Sequence, residues 1–252
     1  TGPGGTNTLT GVIGQWFDSV PVLYISGQVK YETTTASCPS VRLRQLGDQE
    51  LNIVNIVRPI TKYAVMVQDP QYIRYHLERA LYLATHGRPG PVWIDIPLNV
   101  QGAQIEEGKL VPYDSKEDEI VFDENELRQK ISRLIEILKQ SERPVFVAGH
   151  GIRIAEGQDV FFRVIERMKI PILSTFNGFD LVESNHPLYI GRIGTVGNRA
   201  GNFALQNADL LLSVGSRNNI RQVSYNWTDF ARNATKIIVD IDSAELQKPT
   251  VK

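Results

Sequence analysis

Sulfur and histidine are scarce in this sequence: one cysteine, Cys38, two methionines and four histidines among 252 residues. A lone cysteine excludes an internal disulfide and a multi-thiolate metal site, and makes a reducing cytoplasm the expected setting. No His-x-x-x-His or Cys-x-x-Cys pair exists, so no metal site is encoded by spacing. No nucleophile triad is legible. An excess of one charge is also missing, with 27 Lys and Arg against 28 Asp and Glu and a formal net charge of -1. That balance gives no global footprint for nucleic acid and no polybasic membrane signal. No apolar run approaches the roughly 18 residues of a membrane span. Neither an initiator methionine nor a targeting segment heads the chain, which starts on "TGPGGTN". Such a start is expected of an internal piece of a larger protein.

What is present is ordinary globular material, 42% hydrophobic and 22% charged. The apolar runs are short and alternate with helical patterns. "VPVLYIS" and "GPVWIDIP" read as buried strands. Between them Asp69 reads as an N-cap with Pro70 at the first helical position, and Ile73, Leu77, Ala80, Leu81 and Ala84 recur at helical spacing up to a stop at Gly87. Strand, helix, strand is the unit of a parallel sheet. Residues 101–122, "QGAQIEEGKLVPYDSKEDEIVF", are polar and aperiodic and read as an interdomain linker. A second α/β region follows. Asp123 caps a helix with Leu127, Ile131, Leu134, Ile135 and Leu138 on one face. Then "RPVFVAG" reads as strand, "VFFRVIERM" as helix, "IPILST" as strand, "NFALQNA" as helix, and "DLLLSVGS" and "KIIVDID" as strands. The expected fold class is α/β, with two doubly wound parallel-sheet domains over 1–100 and 123–252.

Ligand signals sit at the strand ends, each beside an ordinary reading. The glycines of "TGPGGTN" let a backbone approach a ligand closely, or simply make a tight turn. Gly149-His150-Gly151 stands where a dinucleotide loop would stand, and His150 reads first as a loop histidine. Arg217 and Arg221 can grip a phosphate or form surface ion pairs. Asp240 and Asp242 can hold ribose hydroxyls or cap the next turn.

The order of motifs is more specific than any one of them. "GPGGTN", "DSVPVLYISGQV", "GRPGPVWIDIPLNVQ", "RPVFVAGHG", "NADLLLSVGSR" and "VDIDSAE" together resemble the thiamine diphosphate-dependent acetolactate synthase family, along essentially the whole chain. The resemblance implies part of a pyrimidine-binding domain over 1–100 and most of a Rossmann-like central domain over 123–252. It implies a carboligase that decarboxylates pyruvate or another 2-keto acid and adds the resulting carbanion to a second carbonyl. It also implies thiamine diphosphate, with Mg2+ held by a third domain beyond this segment, and a homodimer or homotetramer, a regulatory subunit being left open. Pro3, Gly4 and Asn7 match the loop beside the cofactor's pyrimidine ring, and Gln49 matches a cleft glutamine. Gly149, Gly151, Thr175, Phe176, Gly191, Gly194, Arg217 and Asp240 match flavin contacts.

There are departures from the family pattern: "GRIG" at 191–194 for Gly-Met-His-Gly, "NNI" at 218–220 for Phe-Asp-Asp, and "LGDQE" at 46–50 for Asp-Ala-Phe-Gln-Glu. They leave FAD and the acceptor open. Asp48 in place of an aromatic side chain suits a hydroxylated acceptor such as a keto-sugar nucleotide. A non-catalytic binding or assembly module is the alternative from another class.

Overall fold

The computed structural model describes residues 2–251; Thr1, at the head of the opening loop, and Lys252 lie outside the described residues. Two compact units divide between Val121 and Phe122.

The first unit is built on a three-stranded parallel sheet, β1 Leu23–Gln28, β2 Tyr63–Met66 and β3 Val92–Pro97, in the order β1-β3-β2. "YAVM" is a strand that the sequence pattern did not separate from its surroundings, because four half-buried residues carry little periodicity. Helix α1, Leu9–Asp18, buries Val12 against Ile53, Val57 and Trp93 and ends where Ser19 turns left-handed, φ 58°. Ile53 and Val57 belong to α2, Ile53–Val57, whose N-cap Asn52 accepts from the Asn55 N–H. The opposite face of the sheet is covered by α3, Ile73–Thr85, through Ala80, Ala84 and Leu77. Helices on both faces make the unit doubly wound, as expected. Asp69 caps a short 3-10 turn, Pro70–Tyr72, that runs into α3, so the proline lies one turn ahead of the regular helix. Leu81, expected on the buried face, is exposed.

The segment expected as a linker is hydrogen-bonded into this unit as far as Asp118, and the unit runs to Val121. The Val111 N–H donates to the Gln71 carbonyl at 3.0 Å and the Tyr113 N–H to Glu78 at 2.9 Å. Arg79 meets Asp118 through two hydrogen bonds of 2.8 and 3.0 Å, and the Tyr113 hydroxyl donates to the same carboxylate. A polar, aperiodic stretch looks like a linker in sequence because its partners lie on another element.

The second unit has a five-stranded parallel sheet: β4 Pro144–Ala148, β5 Ile172–Ser174, β6 Tyr189–Arg192, β7 Leu210–Val214 and β8 Thr235–Val239, in the order β6-β5-β4-β7-β8. This is the doubly wound order, with its switch point between β4 and β7. Alternate strand residues serve opposite layers. Val145, Val147 and Leu211 pack with Leu205 of α6, Arg199–Gln206. Phe146, Ala148 and Leu212 pack with Phe161 and Ile165 of α5, Gln158–Met168, and with Leu134 and Leu138 of α4, Glu124–Gln140. Asp123 caps α4 by accepting from two backbone N–H groups. Only part of α4's expected face is covered, since Leu127, Ile131 and Ile135 are exposed. β6 was not legible as a strand: its glycine, Gly191, sits at φ 143° beside a register shift against β5.

Candidate functional site

The opening loop and the candidate cleft glutamine, forty-odd residues apart in sequence, meet in the first unit. Gly2 is buried at φ 49°, and a Cβ there would stand 2.0 Å from the Gln49 carbonyl oxygen. Only a glycine allows that contact. Pro3 and Gly4 follow on a short helical turn, Pro3–Thr6, and both are exposed. Nothing lies within 4 Å of a Cβ built on Gly4, so this position faces open space. Asn7 closes the turn and is exposed.

Gln49 is exposed and left-handed, φ 58°, a conformation that a non-glycine residue keeps only when its surroundings hold it. The two residues that follow it do so. Glu50 is buried and accepts from the Thr35 N–H and hydroxyl, each at 2.8 Å, and from the Leu46 N–H at 2.9 Å. Burial works against its charge, but these hydrogen bonds outweigh it and hold the carboxyl below the ordinary glutamate range. One residue further on, the Leu51 carbonyl accepts from the Gln28 amide at 2.8 Å. The same nitrogen donates to Asp95 at 3.0 Å.

Asp95 is fully buried at the carboxyl end of β3. It also accepts from the Ser26 hydroxyl at 2.5 Å, and that hydroxyl accepts from the Trp93 indole N–H at 2.8 Å. Burial pushes the Asp95 carboxyl above the ordinary aspartate range, against the hydrogen bonds from Ser26 and Gln28. Sequence reasoning passed over Asp95, Ser26 and Glu50. The available signal was a carboxylate inside the otherwise apolar run "PVWIDIP".

In the second unit the candidate residues lie at the carboxyl ends of β4, β5, β6, β7 and β8. The Gly149 N–H donates to Val214 and the Gly151 N–H to Gly215, so the two loops cross in contact. A Cβ on Gly149 would stand 2.2 Å from the Gly215 carbonyl oxygen, and one on Gly151 2.8 Å from the Gly215 Cα. Gly191 is filled by the Asn198 side chain and Gly194 by the Arg221 and Gln222 backbone. The glycines expected to admit a ligand are therefore required by the chain's own packing, and are no argument for a ligand by themselves.

Other features at this edge are open to one. Thr175 is buried, while the next residue, Phe176, is 56% exposed. The Nδ1 atom of His150 is buried without a hydrogen-bond partner. The Arg217 carbonyl accepts from the Lys248 ammonium at 2.6 Å, and Asp240 accepts from the Asp242 N–H, which ties it to the next turn. Asn218, noted in sequence only as a departure, is buried and left-handed; it accepts from Ser213, Ser216 and Gln222 and shapes the loop after β7. Among the described residues no group of three or more His, Cys, Asp and Glu is placed to hold a metal ion. No helix among them is long and apolar enough to cross a membrane.

Comparison with known proteins shows what the chain is similar to. Residues 131–252 match the model of the thiamine pyrophosphate enzyme central domain. An acetolactate synthase large subunit from Lactococcus lactis is 36% identical over 98% of this chain and 41% of its own length. A probable acetolactate synthase large subunit from Methanocaldococcus jannaschii is 34% identical over 98% of this chain and 40% of its own. The acetolactate synthase isozyme 2 large subunit of Escherichia coli is 33% identical over 98% and 42%. The chain spans about two fifths of the length of these relatives. Over residues 131–252 the chain is thus similar to the thiamine pyrophosphate enzyme central domain, and along nearly its whole length it is similar to part of acetolactate synthase large subunits.

Proposed function

We propose that this chain is part of a thiamine diphosphate-dependent carboligase of the acetolactate synthase type, which decarboxylates pyruvate or another 2-keto acid and joins the remaining acyl unit to a second carbonyl compound. The observation that carries the reading is the packing of Gly2 on Gln49, which brings the opening loop and the cleft glutamine of the family pattern to one place. Bound thiamine diphosphate supplies the electron sink for decarboxylation. Pro3, Gly4 and Asn7 offer the exposed surface for its pyrimidine ring, and Gln49 stands at the rim where a substrate is oriented. Mg2+ and the diphosphate are to be held by residues outside this chain.

Assembly as a homodimer or homotetramer is proposed with it, supported by the exposed Ile13, Phe17 and Val20 on and just after α1. FAD or another adenine nucleotide is proposed for the switch point of the second unit, supported by exposed Phe176 and the unpartnered His150 Nδ1. A second reading, an acceptor that is a keto-sugar nucleotide, is favoured by exposed Asp48, Arg42 and Arg44 in the loop leading to Gln49.

The test uses the full-length protein with thiamine diphosphate, Mg2+ and pyruvate, alone and with a keto-sugar nucleotide, with the products read by mass. Acetolactate from pyruvate alone supports the first reading. A branched sugar nucleotide supports the second. No cofactor-dependent carbon dioxide release rejects both and leaves an assembly module. The visible spectrum and a fluorescence titration with FAD test the flavin: a colourless protein indifferent to FAD removes it. Calorimetry on the chain by itself should give no tight, Mg2+-dependent thiamine diphosphate binding.

A further inference from the structure

A polar ladder runs through the layer between the first unit's sheet and α1 and α2, a layer otherwise built from Val12, Ile53, Val54 and Val57. Its rungs are Trp93 Nε1 to Ser26 Oγ at 2.8 Å, Ser26 Oγ to Asp95 Oδ1 at 2.5 Å, and Gln28 Nε2 to Asp95 Oδ2 at 3.0 Å. The last rung leaves the sheet: the other N–H of the Gln28 amide reaches the Leu51 carbonyl at 2.8 Å. The Gln28 amide oxygen accepts from the Val29 N–H at 3.0 Å, so the side chain is held from three sides. Gln28 is itself only 2% exposed.

A buried carboxylate is costly, and an apolar side chain of similar volume would serve packing alone at least as well. What the carboxylate adds is direction. Asp95 fixes the orientation of the Gln28 amide, and Gln28 fixes Leu51. Glu50 anchors the preceding stretch by accepting from Thr35 and Leu46. Gln49, left-handed and pressed against Gly2, lies next to Glu50 and two residues from Leu51.

We propose that Asp95 is a positioning residue: through Gln28 and Leu51 it holds Gln49 and the opening loop in the geometry that the reacting carbonyl compound meets. This rests on the reading of Gln49 as a cleft residue. It assigns to the sheet a task that neither the loop nor Gln49 performs alone.

The experiment uses the full-length protein and the variants Asp95→Asn, Gln28→Met and the double variant, with Asp118→Asn as a control elsewhere in the unit. Hydrogen exchange is followed in the peptide covering residues 46–53, and kcat and KM are measured with a 2-keto acid. Asp95→Asn and Gln28→Met should each speed exchange in that peptide by about tenfold or more. The double variant should add little, because both act along one path. kcat should fall by about tenfold while KM for the donor stays within about twofold, as for an interaction that serves the transition state. Asp118→Asn should change neither.

If Asp95→Asn fails to fold, Gln28→Met carries the test. Wild-type exchange over 46–53 in a folded Gln28→Met variant overturns the proposal, as does faster exchange with unchanged kcat. A wild-type protein without carboligase activity would reject the functional reading, and the exchange arm would still decide the ladder.

Discussion

The carbonyl oxygen of Gln49 occupies the space that a side chain on Gly2 would need, 2.0 Å from the ideal Cβ position. Gly2→Ala should therefore push the opening loop away from Gln49. Backbone is the obstacle and φ is 49°, so neither rotamer change nor relaxation of a flexible tip relieves the clash. The expected loss is about 1–3 kcal/mol of stability, read by urea unfolding. Gly4→Ala is the contrast. With open space around it, its stability should stay within about 0.5 kcal/mol of wild type, while thiamine diphosphate affinity in the full-length protein falls.

Arg79 and Asp118 clasp residues 101–121 onto α3, aided by the Tyr75 hydroxyl, which donates to Glu117 at 2.6 Å. The Asp118 side chain is 18% exposed and that of Arg79 28%, so water screens the pair in part. Asp118→Asn should cost about 1–2 kcal/mol. The segment should then be cut by protease several-fold faster, with fragments ending between residues 105 and 121.

Stability should depend on pH in opposite senses at two buried carboxylates. Glu50 is held below its ordinary range, so its contribution is present above the unfolded value and is lost as pH falls through the folded one. Burial pushes Asp95 above its ordinary range. Its contribution is present below the unfolded value and is lost as pH rises through the folded one. Urea midpoints measured from about pH 3 to about pH 8 check both. Glu50→Gln should flatten the acid limb, and Asp95→Asn should flatten the decline on the other side of the ordinary carboxylate range.

In the second unit Gly149→Ala should be severe. Its Cβ would fall 2.2 Å from the Gly215 oxygen and 2.6 Å from the Ser216 nitrogen, where the β4 and β7 loops cross. A loss of about 3 kcal/mol or more is expected, with a lowered Tm as the readout. The alanine at Gly108, where nothing lies within 4 Å, should leave Tm nearly unchanged.

The sequence by itself determined the layer architecture and carried the resemblance to acetolactate synthase large subunits. Apolar runs such as "RPVFVAG" and "DLLLSVGS" are buried on both faces of a parallel sheet, and central strands of that kind need no partner to be recognised. The Asp123 cap and the Asp69-Pro70 helix entry are local chemistry, decided within a few residues. β2 and β6 escaped because short edge strands borrow their identity from the neighbour they pair with. Tertiary structure alone decided which side of α3 and α4 is covered, since a helical stripe says that a face is apolar and not what packs on it.

The same limit applied to the site. Pro3, Gly4 and Gln49 were singled out by resemblance alone, and the packing of Gly2 on Gln49 depends on a chain reversal that no local pattern encodes. The glycines after β4 and β7 read as room for a phosphate and turned out to be room for each other. Asp95 was visible only as one acid in an apolar strand. Its hydrogen bonds to Ser26 and Gln28 join positions 67 to 69 residues apart, and only the pairing of β1 with β3 brings those side chains to one face.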